Sequence, residues 1–409
     1  MADAKLKLGN DIWATRQKSL LAYNDEGGNF KSLPFQVERI SSGTYVGRNG
    51  LIQTAASNEP RVDFLNNTKG HLLLEQTRRN LFLNSEDFTN SSWLKTRTTI
   101  TGNQATAPDG SNNADLLTGS GTGTSYVYDG VFLYNATYYI SIFVKNINGN
   151  DFTIQNFTQS GTAVFDLLNK SVTSTSGTMS DAKIEQYPND WFRVSAKITS
   201  TLGGANANLG YGVKNYNGEQ FYIWGAQVED NASGGGVSYI SSYIPTSSAS
   251  VTRVVDFCFI ASGLQNILNS SEGTVYIDVD VPRVSSTGSY ERIVLSDQNA
   301  STDRIIFDNY GGNWRALMLS SAGNVNKTIV SVTENQRIKV AIAYSSTELR
   351  VSYDGNAATT TSGSYTPSTT LESFKFSNKD GGNKWQGKIY EVKYFDEALT
   401  NSELKALTS

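Results

Sequence analysis

The sequence has almost none of the side chains that enzymes commonly use as nucleophile, base or soft metal ligand. Its 409 residues include one cysteine, Cys258, and one histidine, His71. A single cysteine excludes an intramolecular disulfide framework. Triad-type hydrolysis needs a histidine beside the nucleophile, and these two residues alone cannot build a zinc site of the usual ligand types. We therefore predict structural roles for both residues and assign no catalytic or metal-binding residue.

Long apolar runs and clusters of basic residues are also missing. No segment approaches the ~20 apolar residues of a membrane-spanning helix. The first residues, MADAKLKLGND, lack the apolar core of a secretion signal. Lysine and arginine occur singly in a chain of net charge −4, so no basic stripe can displace counterions from nucleic acid. We expect neither membrane insertion nor nucleic-acid binding, in a chain kept in a reducing compartment or released without secretion.

The residues that are abundant favour strands and turns. Aromatic residues make up 11% of the chain, with 21 tyrosines, and charged residues only 18%. Aromatic and β-branched side chains suit pleated surfaces, whereas asparagine and glycine supply turns. We predict an all-β protein, and its length favours two or three domains.

Alternating apolar positions mark individual strands. TYYISIFVKN places Tyr138, Ile140, Ile142 and Val144 on one face. In FYIWGAQVED, strict alternation groups Phe221 with Ile223, and Trp224 with Ala226 and Val228. Both of its faces are largely apolar, which is typical of a strand inside a sandwich.

Two short sequence patterns in the C-terminal region predict a strand and a helix. GTVYIDVDVP alternates valine and isoleucine with Tyr276, Asp278 and Asp280, so we expect one face of this strand to be solvated. Near the end, Thr400 and Glu403 have the spacing of a capping box. A short terminal helix should begin there.

The patterns divide the chain into three regions. Residues 1–80 hold short apolar bursts that cannot form a thick core alone, so this region either docks on a partner or supplies edge strands to a neighbouring domain. Residues 81–250 have the regular strand spacing of an antiparallel sandwich. Residues 256–409 restart the pattern. The predicted fold is two consecutive antiparallel β-sandwiches behind an extended N-terminal docking region.

Several separate blocks resemble the carbohydrate-binding-module-like jelly roll of many tailed-phage structural proteins. In order, they are NEPRVDF, KGHLLLEQTRRNLFLNSEDFTNSSW, ATAPDGSNNADLL, WGAQVED, SSYIPT and VTRVVD. The resemblance spans about 200 residues. It implies a virion component, assembled in the host cytoplasm and released by lysis. By analogy with such proteins we expect a homotrimer that contacts other virion proteins through residues 1–80.

The last region resembles a concanavalin A-like or laminin-G-like sandwich. The similar segments are IKVAIAYSSTELRVSYDG and GKIYEVKYFDEALTNSELKAL. The resemblance implies binding of glycans or protein surfaces. Some members of this family use calcium, but no cofactor is predicted because no ligand can be assigned.

Aromatic residues beside glycine and asparagine provide a candidate glycan platform in this last region. FDNYGGNWRALML places Tyr310 and Trp314 around a Gly-Gly turn next to Asp308 and Asn313, and NKDGGNKWQGK presents Trp385 in a similar setting. The alternative is that these rings pack under a loop or at a subunit contact.

Glycoside hydrolysis needs only two carboxylates. Asp278 and Asp280 would lie roughly 7 Å apart on one strand face. However, the chain lacks the Glu-x-Asp-x-x-Glu strand of the concanavalin A-like glucanases. We therefore interpret this pair as part of a solvated face.

The sequence thus predicts a non-enzymatic phage virion protein. It would be a tail fibre, a tailspike-like appendage or a head fibre or decoration that adheres to a host-surface glycan. Two alternatives stay open: a depolymerase of tailspike type, and a purely structural decoration or connector without a ligand.

Overall fold

A computed structural model describes residues 3–26, 29–121, 123–213, 218–282, 289–297, 303–377 and 381–409. Its strands are β1 (Leu6–Gly9), β2 (Ala14–Arg16), β3 (Ser19–Glu26), β4 (Asn29–Glu38), β5 (Gly43–Val46), β6 (Ile52–Ala55), β7 (Val62–Asp63), β8 (His71–Leu74), β9 (Arg78–Asn80), β10 (Leu94–Thr96), β11 (Thr98–Ala105), β12 (Ala114–Gly119), β13 (Ser125–Asn146), β14 (Asp151–Asn156), β15 (Gly161–Asp166), β16 (Ser171–Ser176), β17 (Met179–Gln186), β18 (Phe192–Val213), β19 (Gln220–Asp230), β20 (Val251–Arg253), β21 (Phe257–Ile260), β22 (Gly273–Val279), β23 (Ser289–Ser296), β24 (Arg304–Tyr310), β25 (Asn313–Ser320), β26 (Gly323–Ser331), β27 (Ile338–Tyr344), β28 (Glu348–Tyr353), β29 (Thr359–Ser362), β30 (Ser373–Lys375) and β31 (Gly387–Phe395). The helix α1 spans Asn401–Thr408. With 55% of residues in strands and 2% in helix, the predicted all-β class is confirmed.

The chain forms two compact units that are not consecutive in sequence. Unit 1 comprises Met1–Ile40, Ala55–Gln76 and Val255–Ser409, and unit 2 comprises Ser41–Thr54 and Thr77–Val254. The chain therefore passes between the units four times. This division differs from the predicted order, in which residues 1–80 formed a region of their own.

The N-terminal strands belong to unit 1 because they complete its sheet and its core. β1 and β8 both pair with β31, and β4 pairs with β21, all antiparallel. Leu6, Leu20, Phe35 and Leu72 are fully buried in the same hydrophobic cluster as Val392. The short apolar segments of the N-terminal region therefore pair with strands of the C-terminal region, as predicted for edge strands of a neighbouring domain.

A buried ion network in unit 1 joins its three chain segments. The Arg39 guanidinium donates to Asp256 at 2.8 Å, and Arg61 donates to Glu75 at 2.7 Å and also to Asp256. The Glu75 amide donates to the same Asp256 carboxylate at 2.9 Å. Each buried charge is therefore paired, as burial requires.

Unit 2 is an antiparallel sandwich built around β13, β18 and β19. Tyr138, Ile140, Ile142 and Val144 lie in its core as predicted. In β19, however, a register shift opposite β13 changes the alternation after Trp224. The shift turns the side chains of Ala226 and Val228 into the core, where they pack in the same hydrophobic cluster as Phe221 and Ile223. Strict alternation instead predicted that Ala226 and Val228 share the face of Trp224.

The terminal helix begins where the sequence predicted. Thr400 is its N-cap, and the reciprocal hydrogen bonds with Glu403 form the capping box. Leu399 and Leu404 pack with Tyr276 and Phe395 in a small cluster of unit 1. The helix thereby covers part of the sheet face opposite the main core.

Candidate functional site

The predicted site residues of the last region lie mainly on one hairpin of unit 1. β24 and β25 pair so that Tyr310 faces Asn313 and Asp308 faces Arg315. The two connecting residues, Gly311 and Gly312, have φ values of 56° and 76°. Positive φ at both central positions is the geometry of a tight hairpin turn that glycine favours. The predicted Gly-Gly turn is confirmed.

The two tryptophans proposed for a surface platform are in the core instead. Trp314 is 1% exposed and Trp385 is fully buried. Their rings stack 5.9 Å apart, and Trp314 stacks on Phe307 at 4.9 Å. Alternation along β25 explains this position, since every second side chain from Trp314 onward points inward. The expectation that these rings lie exposed in loops is therefore wrong, and packing under the surface is their observed role.

Asp308, Tyr310 and Asn313 do come together at the hairpin. Tyr310 is 44% exposed, and the Arg315 guanidinium lies 3.8 Å from the centre of its ring. Arg315 donates through Nε and Nη2 to the buried Asp308 carboxylate at 3.0 and 2.9 Å. Asn313 donates to the Gly311 carbonyl at 3.1 Å. This end of the hairpin presents one aromatic ring beside an oriented guanidinium.

The carboxylates of β22 are buried rather than solvated. Asp278 and Asp280 are 3% and 7% exposed. Arg337 binds Asp278 through two hydrogen bonds of 2.6 Å, whereas Asp280 accepts from the Lys388 amide and the Tyr390 hydroxyl, both at 2.9 Å. Burial raises the pKa of Asp280 above its usual value. The predicted wet face is wrong because neighbouring strands supply partners for both carboxylates.

His71 and Cys258 occupy core positions. Burial lowers the pKa of His71 well below its usual value, and the nearby Lys388 and Arg337 charges act in the same direction. Burial raises the pKa of the Cys258 thiol. Within the described part of the chain, no group of three or more histidine, cysteine, aspartate or glutamate side chains could hold a metal ion.

A surface that the sequence interpretation missed lies on β13 of unit 2. Tyr126, Tyr128, Phe132 and Tyr134 occupy alternate positions of this strand, so they share one face. The intervening Val127, Val131 and Leu133 side chains are buried in the core. We call this outer surface, with Phe157, Asn206 and Asn208, the aromatic face.

The neighbouring strand β18 is shaped to leave these rings open. Tyr126 pairs with Gly212, Tyr128 with Gly210, and Phe132 with Asn206. A Cβ at Gly210 would lie 2.6 Å from the Tyr128 Cβ, and one at Gly212 would lie 1.9 Å from a β13 carbonyl oxygen. Side chains at these positions would therefore collide with β13. Beyond the glycines, the exposed Asn206 and Asn208 present amide groups.

The rings form two clusters along the strand. Phe157 packs against Tyr126 at 4.3 Å and Tyr128 at 5.6 Å between ring centres, and these rings are half-buried. Phe132 and Tyr134 form an edge-to-face pair at 5.5 Å and are 55% and 48% exposed. From Tyr126 to Tyr134 the strand covers about 26 Å.

The chemistry of the aromatic face suits a polar ligand with apolar patches. Exposed aromatic surface rimmed by polar groups is typical of a binding site. The amides of Asn206 and Asn208 can both donate and accept hydrogen bonds. Every side chain that defines the face is uncharged. The sequence signal was available in the aromatic alternation of SYVYDGVFLY, opposite the asparagine and glycine alternation of NANLGYG.

Residues 267–405 match the family model described as the concanavalin A-like lectin/glucanases superfamily. The matched segment lies within unit 1 and is less than half of the chain. The match agrees with the antiparallel β-sandwich seen there and supports a concanavalin A-like or laminin G-like fold for this segment. No curated protein matches the sequence.

Several solved structures resemble the chain distantly. The CBM40 module of the Ruminococcus gnavus IT-sialidase is 13% identical, with a TM-score of 0.29, over 34% of this chain and 84% of that one. Domains LG4-5 of the mouse laminin alpha1 chain are 12% identical, with a TM-score of 0.25, over 69% and 90%. Trypanosoma rangeli sialidase is 10% identical, with a TM-score of 0.30, over 95% and 81%.

Among the described residues, no helix has the length and apolar character that a membrane span requires.

Proposed function

We propose that this protein is a non-enzymatic adhesion protein that binds glycans through the aromatic face of unit 2. The observation that carries the proposal is the exposed Phe132 and Tyr134 pair beside the amides of Asn206 and Asn208. Such rings offer flat apolar surfaces to sugar rings, while the amides satisfy hydroxyl groups. The match of residues 267–405 in unit 1 to the concanavalin A-like lectin/glucanases superfamily also supports glycan binding in general.

The finer setting of the proposal is a tailed-phage virion. Its support is the sequence resemblance to the jelly rolls of phage structural proteins. In this setting the chain is a fibre, a tailspike-like appendage or a decoration, assembled as a homotrimer and attached to other virion proteins. The N-terminal strands take part in the core of unit 1, so no docking surface is assigned to them. Light scattering should give three times the 44.6 kDa of one chain.

The glycan proposal is tested by titrating the full chain with glycans that the wild type selects on an array. The double variant Phe132→Ala, Tyr134→Ala should weaken binding about tenfold or more, since aromatic contacts contribute roughly 0.5–1.5 kcal/mol each beyond buried area. Leu168→Ala, which removes another exposed apolar side chain of unit 2, is the matched control. An unchanged affinity in the double variant would rule out the aromatic face as the binding site.

The depolymerase alternative needs an available carboxylate pair. Asp278 is held by Arg337, and Asp280 by Lys388 and Tyr390. These contacts favour the non-enzymatic proposal. Release of reducing ends from a bound glycan, abolished in Asp278→Asn or Asp280→Asn, would support the alternative instead.

A further inference from the structure

We propose that the hairpin formed by β24 and β25 in unit 1 is a second saccharide site, selective for a sugar that carries a carboxylate. This inference rests on the proposed glycan-binding function and adds the ligand class and the residues. Tyr310 would supply the stacking surface and Arg315 the partner for the carboxylate.

Arg315 is held in an orientation that suits carboxylate binding. Its Nε and Nη2 groups donate to Asp308, which is fully buried, so the guanidinium is held in one plane. The side chain of Arg315 is 14% exposed. Within the described chain, its Nη1 group makes no hydrogen bond. An arginine fixed in this way is pre-organised to donate to a planar carboxylate.

A second guanidinium group lies close to Arg315. Asp308 forms ion pairs with both Arg315, at 2.9 Å, and Arg292, at 3.3 Å. Two guanidinium groups therefore flank this carboxylate. A pair of guanidinium groups favours an anionic group placed at its exposed edge.

The surface around Tyr310 leaves room for a sugar ring. Arg315 covers one side of the Tyr310 ring at 3.8 Å, yet the ring stays 44% exposed. A Cβ added at Gly311 would meet no atom within 4 Å, so the turn beside the ring is open. A sugar ring lying on Tyr310 would have its substituents next to the Arg315 edge and the Asn313 amide.

The two sites should differ in how they respond to salt. The aromatic face is built from uncharged side chains. The hairpin site instead depends on an ion pair between the partly exposed Arg315 and the carboxylate of the sugar. Salt screens interactions between exposed charges over about 8–10 Å at physiological ionic strength. Binding at the hairpin should therefore weaken as salt rises, and binding at the aromatic face should not.

The experiment probes the full-length chain with an array in which each carboxylate-bearing glycan is printed beside its carboxyl-reduced, neutral form. The wild type should bind acidic members about tenfold or more better than their reduced forms, as expected for a charge-assisted hydrogen bond. Tyr310→Ala and Arg315→Lys should each remove that preference. Ile12→Ala, which truncates another exposed side chain of unit 1, should retain it.

Folding of the variants is checked by thermal unfolding. Tyr310→Ala changes an exposed side chain, and Arg315→Lys keeps a positive charge beside Asp308. Equal binding of acidic and reduced glycans by the wild type, or an acidic preference that survives Tyr310→Ala, would overturn the inference. If neutral glycans still bind and depend on Phe132 and Tyr134, the proposed function stands while the second site fails. A blank array for every glycan would remove both.

Discussion

Strand β13 of unit 2 and strand β22 of unit 1 both alternate along their length, but their second faces have opposite fates. The second face of β13 carries tyrosine and phenylalanine, and it is exposed or half-buried over residues 126–134. The second face of β22 carries Tyr276 and Asp278 and is continued by Asp280, the residue after the strand, and all three side chains are buried. The more apolar of the two faces is the more accessible one.

The neighbours of each strand explain the difference. β22 lies between β27 and β31, where Arg337 and Tyr390 reach across its carboxylates and α1 packs nearby. β13 instead runs beside the glycines and asparagines of β18. The burial of a strand face therefore depends more on the side chains of adjacent strands than on the polarity of the strand itself. A strand that keeps exposed aromatic rings despite their cost in water is a natural candidate for ligand binding.

On the second faces of these two strands, the largest expected effect comes from removing the buried carboxylate of Asp278. Asp278→Ala should lower the free energy of unfolding by about 2 kcal/mol, since hydrogen bonds to charged groups contribute roughly 1.5–3 kcal/mol each. The Arg337 side chain is 51% exposed and stays hydrated, which limits the loss. Chemical denaturation measures the change.

Glu348→Ala is the matched control, because Glu348 forms an ion pair with Arg350 at 3.1 Å and is 34% exposed. Exposed pairs of this kind contribute about 0–1 kcal/mol. If Asp278→Ala cost no more than Glu348→Ala, the carboxylate of β22 would be solvated in solution and the contrast with β13 would disappear.

A smaller, pH-dependent effect is expected at Asp280. Burial raises the pKa of this carboxyl in the folded protein, so the folded chain takes up its proton at a higher pH than the unfolded chain does. Wild type should therefore gain stability relative to Asp280→Asn as pH falls through the raised pKa toward 3.8. The gain is lost again as pH rises through that pKa, with a slope of at most about 1.4 kcal/mol per pH unit.

Denaturation of both proteins across this pH range measures the difference. An unfolding free-energy difference that does not vary with pH would mean that Asp280 titrates alike in both states, as a solvated side chain would.

The smallest effect is expected on the exposed face of β13. Phe132→Ser should change the free energy of unfolding by less than about 0.5 kcal/mol, as is usual for exposed sites. The neighbouring Leu133→Ala, which empties a fully buried position of the same strand, should cost about 2–5 kcal/mol. Similar losses in the two variants, measured by thermal unfolding, would mean that Phe132 is covered in solution.

Local sequence patterns predicted the secondary-structure elements better than they predicted which surfaces are exposed. The capping box at Thr400 and the core face of Tyr138 to Val144 depend on neighbours in sequence, and both are confirmed. The positions of Ala226 and Val228 could not be predicted from alternation, because one register shift reverses every side chain after it. The shift becomes visible only when the partner strand is known.

The predictions of site residues were right or wrong for a similar reason. Tyr310 and Asn313 were predictable because a Gly-Gly turn forces their side chains to the end of a hairpin. Trp314 and Trp385 were not, since their burial depends on a stack formed by residues about 70 positions apart; the observed ring separation is 5.9 Å. The aromatic face needed the register of β13 with β18, which links residues far apart in the chain.

The fourfold passage of the chain between its units also constrains the order in which the protein can fold on the ribosome. Unit 2 is nearly continuous, so most of it can close once Val254 has emerged. Strands β1 (Leu6–Gly9) and β8 (His71–Leu74) cannot pair with β31 until Gly387–Phe395 has been synthesised. Contacts this distant in sequence form slowly because a long loop must close first. Until β31 has emerged, a nascent chain should therefore hold β1 and β8 without this partner strand, which exposes their apolar side chains to aggregation or chaperone capture.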